Sequence, residues 1–209
     1  MLQTILNDIG IAVFAASGAM LGVRKDFDLW GIVTVGALTG VGGGILRDVV
    51  LGITPPTSMQ NWTPIVVAVV AAVLVFFLHP AFAQLRRSIL ILDAVGMGLF
   101  ATSGAAIAVD HHASAFAASQ IGLLTAVGGG ILRDVLANEV PLLLQPADLY
   151  AVPAVLGAAV VAVGETYSAF AGWIWLLAGS VLATGLRLAG LAFGWRLPTA
   201  PRPRPRDSF

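Results

Sequence analysis

The chain has 209 residues, 58% of them hydrophobic and only 11% charged, with a mean hydropathy of +0.92, which excludes a water-soluble enzyme. Its 11 Lys+Arg balance 11 Asp+Glu, so no basic stripe is available for a nucleic-acid backbone and nucleic acid is not expected as a partner. Cysteine is absent, which removes disulfides, thiol catalysis and Cys-ligated metal centres, and His79, His111 and His112 are too poorly spaced for a His-only cage.

Residues 1–20 include Asp8 and carry no Lys or Arg ahead of the apolar run, so they lack the basic start of a secretory signal and the first helix is expected to be retained. Crossing a hydrocarbon core takes about 20 apolar residues at about 1.5 Å each. Seven such stretches follow one another, at 2–23, 29–52, 63–82, 89–109, 113–136, 149–163 and 169–193. Trp30, Trp62, Trp173, Trp175 and Trp195 fall near their ends, where amphipathic rings prefer the headgroup layer. The predicted fold class is an all-α integral membrane protein with seven transmembrane helices.

Arg24, Lys25, Arg86, Arg87, Arg187, Arg196, Arg202, Arg204 and Arg206 fall on one side of this arrangement, and the other side has only acids such as Asp110 and Glu165. The positive-inside rule then puts the amino terminus outside and the carboxyl terminus in the cytoplasm. The segment 196–209 is rich in Pro and Arg and cannot bury a core, so it reads as a solvated cytoplasmic tail; grazing contact with anionic lipid is the alternative.

A shift of 86 residues lays VGGGILRDV at 41–49 on an identical VGGGILRDV at 127–135 without a gap. The same shift matches Gly10 with Gly96, Phe14 with Phe100, Ser17-Gly18-Ala19 with Ser103-Gly104-Ala105, Gly36 with Gly122, Thr39 with Thr125 and Pro55 with Pro141. Each unit holds three spans, an odd number, so the second enters the membrane from the opposite side and the units are inverted repeats. The predicted organisation is a first three-helix unit at 1–85, a second, inverted one at 86–167, an added seventh helix at 168–195 and the tail at 196–209.

Inverted repeats build a pathway between their halves and place broken helices around it. Gly42, Gly43 and Gly44, and again Gly128, Gly129 and Gly130, lie inside the second and fifth spans, and each glycine costs about 1 kcal/mol against alanine in a helix interior. Each triplet is therefore expected to kink or unwind its helix, freeing backbone groups to face a cavity. Close helix packing is the competing reading, because Gly36, Gly40 and Gly44 recur every four residues, as do Gly122, Ala126 and Gly130. Packing on that face alone leaves Gly42, Gly43, Gly128 and Gly129 unneeded.

Arg47-Asp48 and Arg133-Asp134 follow the triplets at the same offset. Charges inside a bilayer usually line cavities or pair. Neighbours on a helix point about 100° apart, so Arg and Asp need not satisfy each other. Arginines that snorkel to the membrane surface are the alternative to pore or gate residues. Ser17 and Ser103, and Thr39 and Thr125, are further polar candidates, against a bond from each hydroxyl to its own helix. Asp8 and Asp93 sit one position out of register and read as acids at helix N-termini.

The doubled GGGILRD in two inverted three-helix units, followed by a lone seventh helix, resembles the prokaryotic branch of the trimeric intracellular cation (TRIC) channel family over roughly residues 1–195. The resemblance implies a homotrimer in a bacterial inner membrane, each protomer with its own pore and its second and fifth helices broken at the glycines. It implies monovalent cation conduction, potassium or sodium, with no bound cofactor. Carried over by position, the six glycines shape the pore-lining bends, and Arg47, Asp48, Arg133 and Asp134 are the motif's polar positions. Two arginines facing an open pore would repel cations, so they are expected to latch a gate. A secondary transporter of a small solute is the competing class, since inverted repeats build those as well. No nucleophile–base set or phosphate-binding motif supports a membrane enzyme.

Overall fold

The computed structural model describes residues 2–81, 85–145, 149–195 and 197–198, and these hold eight α-helices. They are α1 (Leu2–Arg24), α2 (Leu29–Val50), α3 (Thr57–Gln60), α4 (Thr63–Leu78), α5 (Leu85–Asp110), α6 (Ala115–Leu136), α7 (Ala151–Tyr167) and α8 (Gly172–Phe193). Five of them, α1, α2, α5, α6 and α8, are long and apolar enough to cross a membrane, and α4 and α7 are shorter apolar helices. The four-residue α3 lies in the connection after α2 and was not anticipated. The tail expected at 196–209 lies outside the described residues except for 197–198.

Local chemistry starts and stops the two motif helices alike. Asp28 caps α2 by accepting from the Gly31 amide at 2.8 Å, and Ser114, 86 positions on, caps α6 from the Ala117 amide at 3.3 Å. At the other end Gly52 (φ 72°) and Asn138 (φ 53°) adopt the left-handed conformation. The amides of Ile53 and Glu139 then donate back to the Asp48 and Asp134 carbonyls at 2.8 Å, closing both helices with the same turn.

The core is the crossing of α1 with α5 and of α2 with α6. Phe14 and Phe100 meet edge to face at 5.0 Å between ring centroids, and each covers the glycine one turn before the other, Gly96 and Gly10. A Cβ on either glycine would lie 2.7 Å from the opposing ring, so glycine is what lets α1 and α5 close. Around this centre α4 packs on α1 and α2, α7 packs on α5 and α6, and α8 covers α5 and α7.

Both glycine triplets run as uninterrupted α-helix, so neither is the unwound turn that was one form of the expected break. Close approach is the reason for Gly42, Gly43, Gly128 and Gly129. A Cβ on Gly43 would collide with the Thr125 carbonyl oxygen of α6, and one on Gly129 with the Thr39 carbonyl oxygen of α2. Gly42 accommodates Leu132 and Gly128 accommodates Leu46, whose Cδ1 would lie 2.7 Å from a Cβ there. The every-fourth-residue face does separate work: Gly36 and Gly40 bring α2 against the backbone of α1, at Ala15 and Ile11. Two packing faces thus account for the glycines that one face left unneeded.

Candidate functional site

The helix ends carry the motif's charge. Arg47 and Arg133 lie in the last turns of α2 and α6, where the partial negative charge of the helix C-terminus favours a cation. Neither snorkels, since both are buried with their acids. Each arginine also bonds its own neighbour, which the 100° separation did not suggest: Nε of Arg47 donates to Asp48 Oδ1 and Nε of Arg133 to Asp134 Oδ1, both at 2.8 Å. The arginine stem is long enough to curl back over one residue. The second carboxylate oxygens accept backbone amides of the returning chain, Thr57 to Asp48 at 2.7 Å and Leu142 to Asp134 at 2.8 Å. Each Asp therefore ties a helix end to the segment that follows it.

Beyond this shared frame the two sites differ. Nη1 of Arg133 contacts Asp93 Oδ1 at 2.7 Å and donates to Ser17 Oγ at 2.6 Å. Tyr150 donates its hydroxyl to the same Asp93 oxygen at 3.1 Å, and Arg187 lies over the Tyr150 ring at 4.7 Å. Asp93 is thus no helix-terminal acid but a fully buried ion-pair partner, and Arg187 is a buried residue of α8 rather than a surface charge. Among the described residues Arg47 bonds Asp48 alone, through Nε and through Nη2 at 2.7 Å. Its Nη1 is buried and makes no hydrogen bond among the described residues, and the same holds for Ser103 Oγ and Ser58 Oγ. On the Arg133 side, Nη2 of Arg133 and Oδ2 of Asp93 are likewise left without a hydrogen bond.

Of the other candidates, Thr39 and Thr125 bond their own helices, to the Val35 carbonyl at 2.6 Å and the Ile121 carbonyl at 2.7 Å. Both are buried at the helix crossing. The serines were predicted as a pair but are not used as one, because only Ser17 reaches an arginine. The sequence reading missed Asp93 and Tyr150 as site residues. One signal was available: at the 86-residue shift Asp93 falls on Asn7 and Tyr150 on Pro64, polar against polar and bulky ring against small.

Cavities open at opposite ends of the bundle, and each reaches a motif arginine. One of about 340 Å³ lies among Gln3, Asn7, Arg47, Thr57, Asp110 and His111. The other, about 180 Å³, lies among Arg24, Arg86, Arg133, Asp134, Glu139 and Gln145. The ends are fixed by polar contacts: Gln3 at the start of α1 donates to Asp110 at the end of α5 at 3.5 Å, and Arg24 at the end of α1 pairs with Glu139 after α6 at 3.1 Å. Between the cavities stand the glycine crossing and the Phe14–Phe100 pair.

Comparison with known proteins agrees with this geometry. The family described as "Glycine transporter" matches the chain twice, at residues 4–80 and 90–166, which is the 86-residue offset of the repeat. A UPF0126 membrane protein of Deinococcus radiodurans is 42% identical over 174 residues, covering 83% of this chain and 75% of that protein. The Escherichia coli inner membrane protein YadS is 35% identical over 203 residues, covering 93% of this chain and 94% of that protein. A crystal structure of the TRIC channel orthologue from Rhodobacter sphaeroides superposes with a TM-score of 0.89 at 37% identity, covering 93% of this chain and 99% of that one. The chain belongs to this family, and within it to the prokaryotic relatives of the TRIC channels.

Proposed function

We propose that the protein is a monovalent cation channel, permeable to potassium and sodium, with one pore in each protomer of a homotrimer in the bacterial inner membrane. The observation that carries this reading is the pair of cavities that enter from opposite ends and reach Arg47 and Arg133, in a chain whose fold matches a solved TRIC channel. The pore runs between α1, α2, α5 and α6, past the glycine crossing, which parts when the channel opens. The seven longer helices are its membrane crossings. Its two three-helix units are inverted, which the opposed ends of α1 and α5 support. The Arg24 end is cytoplasmic, because it gathers Arg24, Lys25 and Arg86 while the opposite end offers Asp110.

The arginines act as latches rather than as a selectivity filter. The Arg133 guanidinium, fixed by buried carboxylates and a serine, holds the end of α6 to α5 and α1 and presents no free positive charge to a cation. No cofactor enters this function, and the relatives named for an activity carry ions or solutes rather than react them. The test is purified protein in a planar bilayer, recorded under a potassium chloride gradient and then under potassium against sodium. Discrete openings reversing near the potassium potential are expected.

A second reading, a carrier of a small solute such as glycine, is favoured by the description attached to the matching family. Absence of unitary current at every voltage, together with saturable uptake into liposomes, would replace the channel reading with this one.

A further inference from the structure

Arg47 and Arg133 sit in identical nonapeptides but do not meet the same number of carboxylates. Arg133 contacts two, Asp134 from its own helix and Asp93 from α5, so its guanidinium is set against two buried negative charges. At the 86-residue shift the position of Asp93 is taken by Asn7, whose amide carries no charge, and Arg47 contacts Asp48 alone among the described residues. The nitrogen that meets Asp93, Nη1 of Arg133, is matched by Nη1 of Arg47, which is buried and makes no hydrogen bond among the described residues. One half of the molecule thus builds a second anion onto its arginine, and the other half presents the same nitrogen without one.

Arg47 borders a cavity of about 30 Å³, together with Asn7, Gly44, Thr57, Ser58 and Phe100. Arg47 and Ser58 are only 5% and 8% exposed, and the Ser58 hydroxyl, like Arg47 Nη1, has no hydrogen-bond partner among the described residues. The polar groups with capacity to spare are therefore donors: a guanidinium nitrogen that can only donate, a hydroxyl and a side-chain amide. The one carboxylate in the wall, Asp48, is already committed, its Oδ1 to Arg47 and its Oδ2 to the Thr57 amide. A site for one water takes about 10 to 15 Å³, so the space suits a particle of one heavy atom and is too small for a polyatomic anion such as sulfate. Asn7, Arg47 and Thr57 also line the larger cavity outside it, which gives an ion a way in.

We infer that this cavity binds one small monovalent anion, chloride in ordinary salt solutions, through Arg47 Nη1, the Ser58 hydroxyl and the Asn7 amide, in the place that the Asp93 carboxylate takes on Arg133. The charged nitrogen supplies the strong bond and the two neutral donors complete the shell. With the anion bound, Arg47 faces two negative charges as Arg133 does and repels a passing cation less. Only that last consequence rests on the channel reading; the site itself rests on the cavity and its donors.

A ligand that binds the folded state alone raises the unfolding temperature as its concentration rises. The full-length protein in detergent is therefore unfolded thermally while chloride replaces gluconate at fixed potassium and fixed ionic strength. The unfolding temperature should climb with chloride and level off, and bromide should act likewise while sulfate should not. Asn7→Asp places in the cavity the carboxylate that the other half carries, and it should abolish the chloride response. Ser58→Ala should raise the half-saturating chloride concentration about ten-fold, the worth of one hydrogen bond to a charged group. Absence of a saturable chloride response in the natural protein, or the same response in Asn7→Asp, overturns the inference and leaves the cavity to water. Should Asn7→Asp fail to assemble, Ser58→Ala decides alone, and an unchanged half-saturation overturns the site. The assay needs no current: a protein that conducts nothing yet responds to chloride in this pattern loses the channel reading and keeps the anion site, and one that conducts without the response keeps the channel reading and loses the site.

Discussion

Arg133 and Asp93, forty positions apart in the chain, meet at 2.7 Å with neither side chain exposed to solvent. The pair joins the end of α6 to the interior of α5, and Ser17 brings α1 into the same contact. Three of the four helices around the proposed pathway are therefore locked by one guanidinium, and the fourth, α2, has its own arginine bonded, among the described residues, only within the motif.

Removing one partner of a buried pair strands the other, at a cost of about 3 to 5 kcal/mol. Arg133→Ala should accordingly lower the unfolding temperature more than Arg47→Ala. In bilayer recordings it should also raise open probability several-fold with the potassium-to-sodium permeability ratio unchanged. Unchanged gating in both variants would remove the latch.

The serines give a cleaner contrast because the change is small. Ser17→Ala deletes a hydrogen bond to a charged group, worth about 1.5 to 3 kcal/mol, whereas Ser103→Ala removes a hydroxyl that bonds nothing among the described residues. Thermal unfolding of the two variants should separate them clearly. Equal losses would mean that the repeat is used symmetrically.

For the glycines the structure ranks three neighbours. Gly43→Ala and Gly129→Ala force a methyl group against a backbone carbonyl of the facing helix and should destabilise by about 1 to 3 kcal/mol or more. Gly44→Ala has room and gains helix propensity of up to about 1 kcal/mol, so it should be neutral or stabilising. Unfolding temperatures in one detergent decide this; a penalty at Gly44 matching that at Gly43 would favour a flexible bend over packing.

Tyr150→Phe keeps the ring under Arg187 and removes only the hydroxyl bonded to Asp93. Open probability should rise less than in Arg133→Ala, and stability should fall by about 1 kcal/mol. Open probability unchanged from the natural protein would take Tyr150 out of the gate.

Sequence alone determined the helical membrane class, the positions of the long apolar helices and the doubled GGGILRD, because hydropathy and an ungapped repeat are properties of the chain read in order. It also marked Arg47, Asp48, Arg133 and Asp134, since four charges in apolar runs are costly anywhere and need a reason. What each glycine faces was decided only in three dimensions. Gly43 is set by the Thr125 carbonyl and Gly129 by the Thr39 carbonyl, contacts between helices that no local pattern encodes, and so glycines that read as breaks became points of close helix packing. The same holds for the latch. Identical nonapeptides carry the two arginines, yet Arg133 is held by Asp93, Ser17 and, through Asp93, Tyr150, while Arg47 has none of the equivalents. A guanidinium's partners come from whichever helices pack against it, and that choice belongs to the tertiary structure.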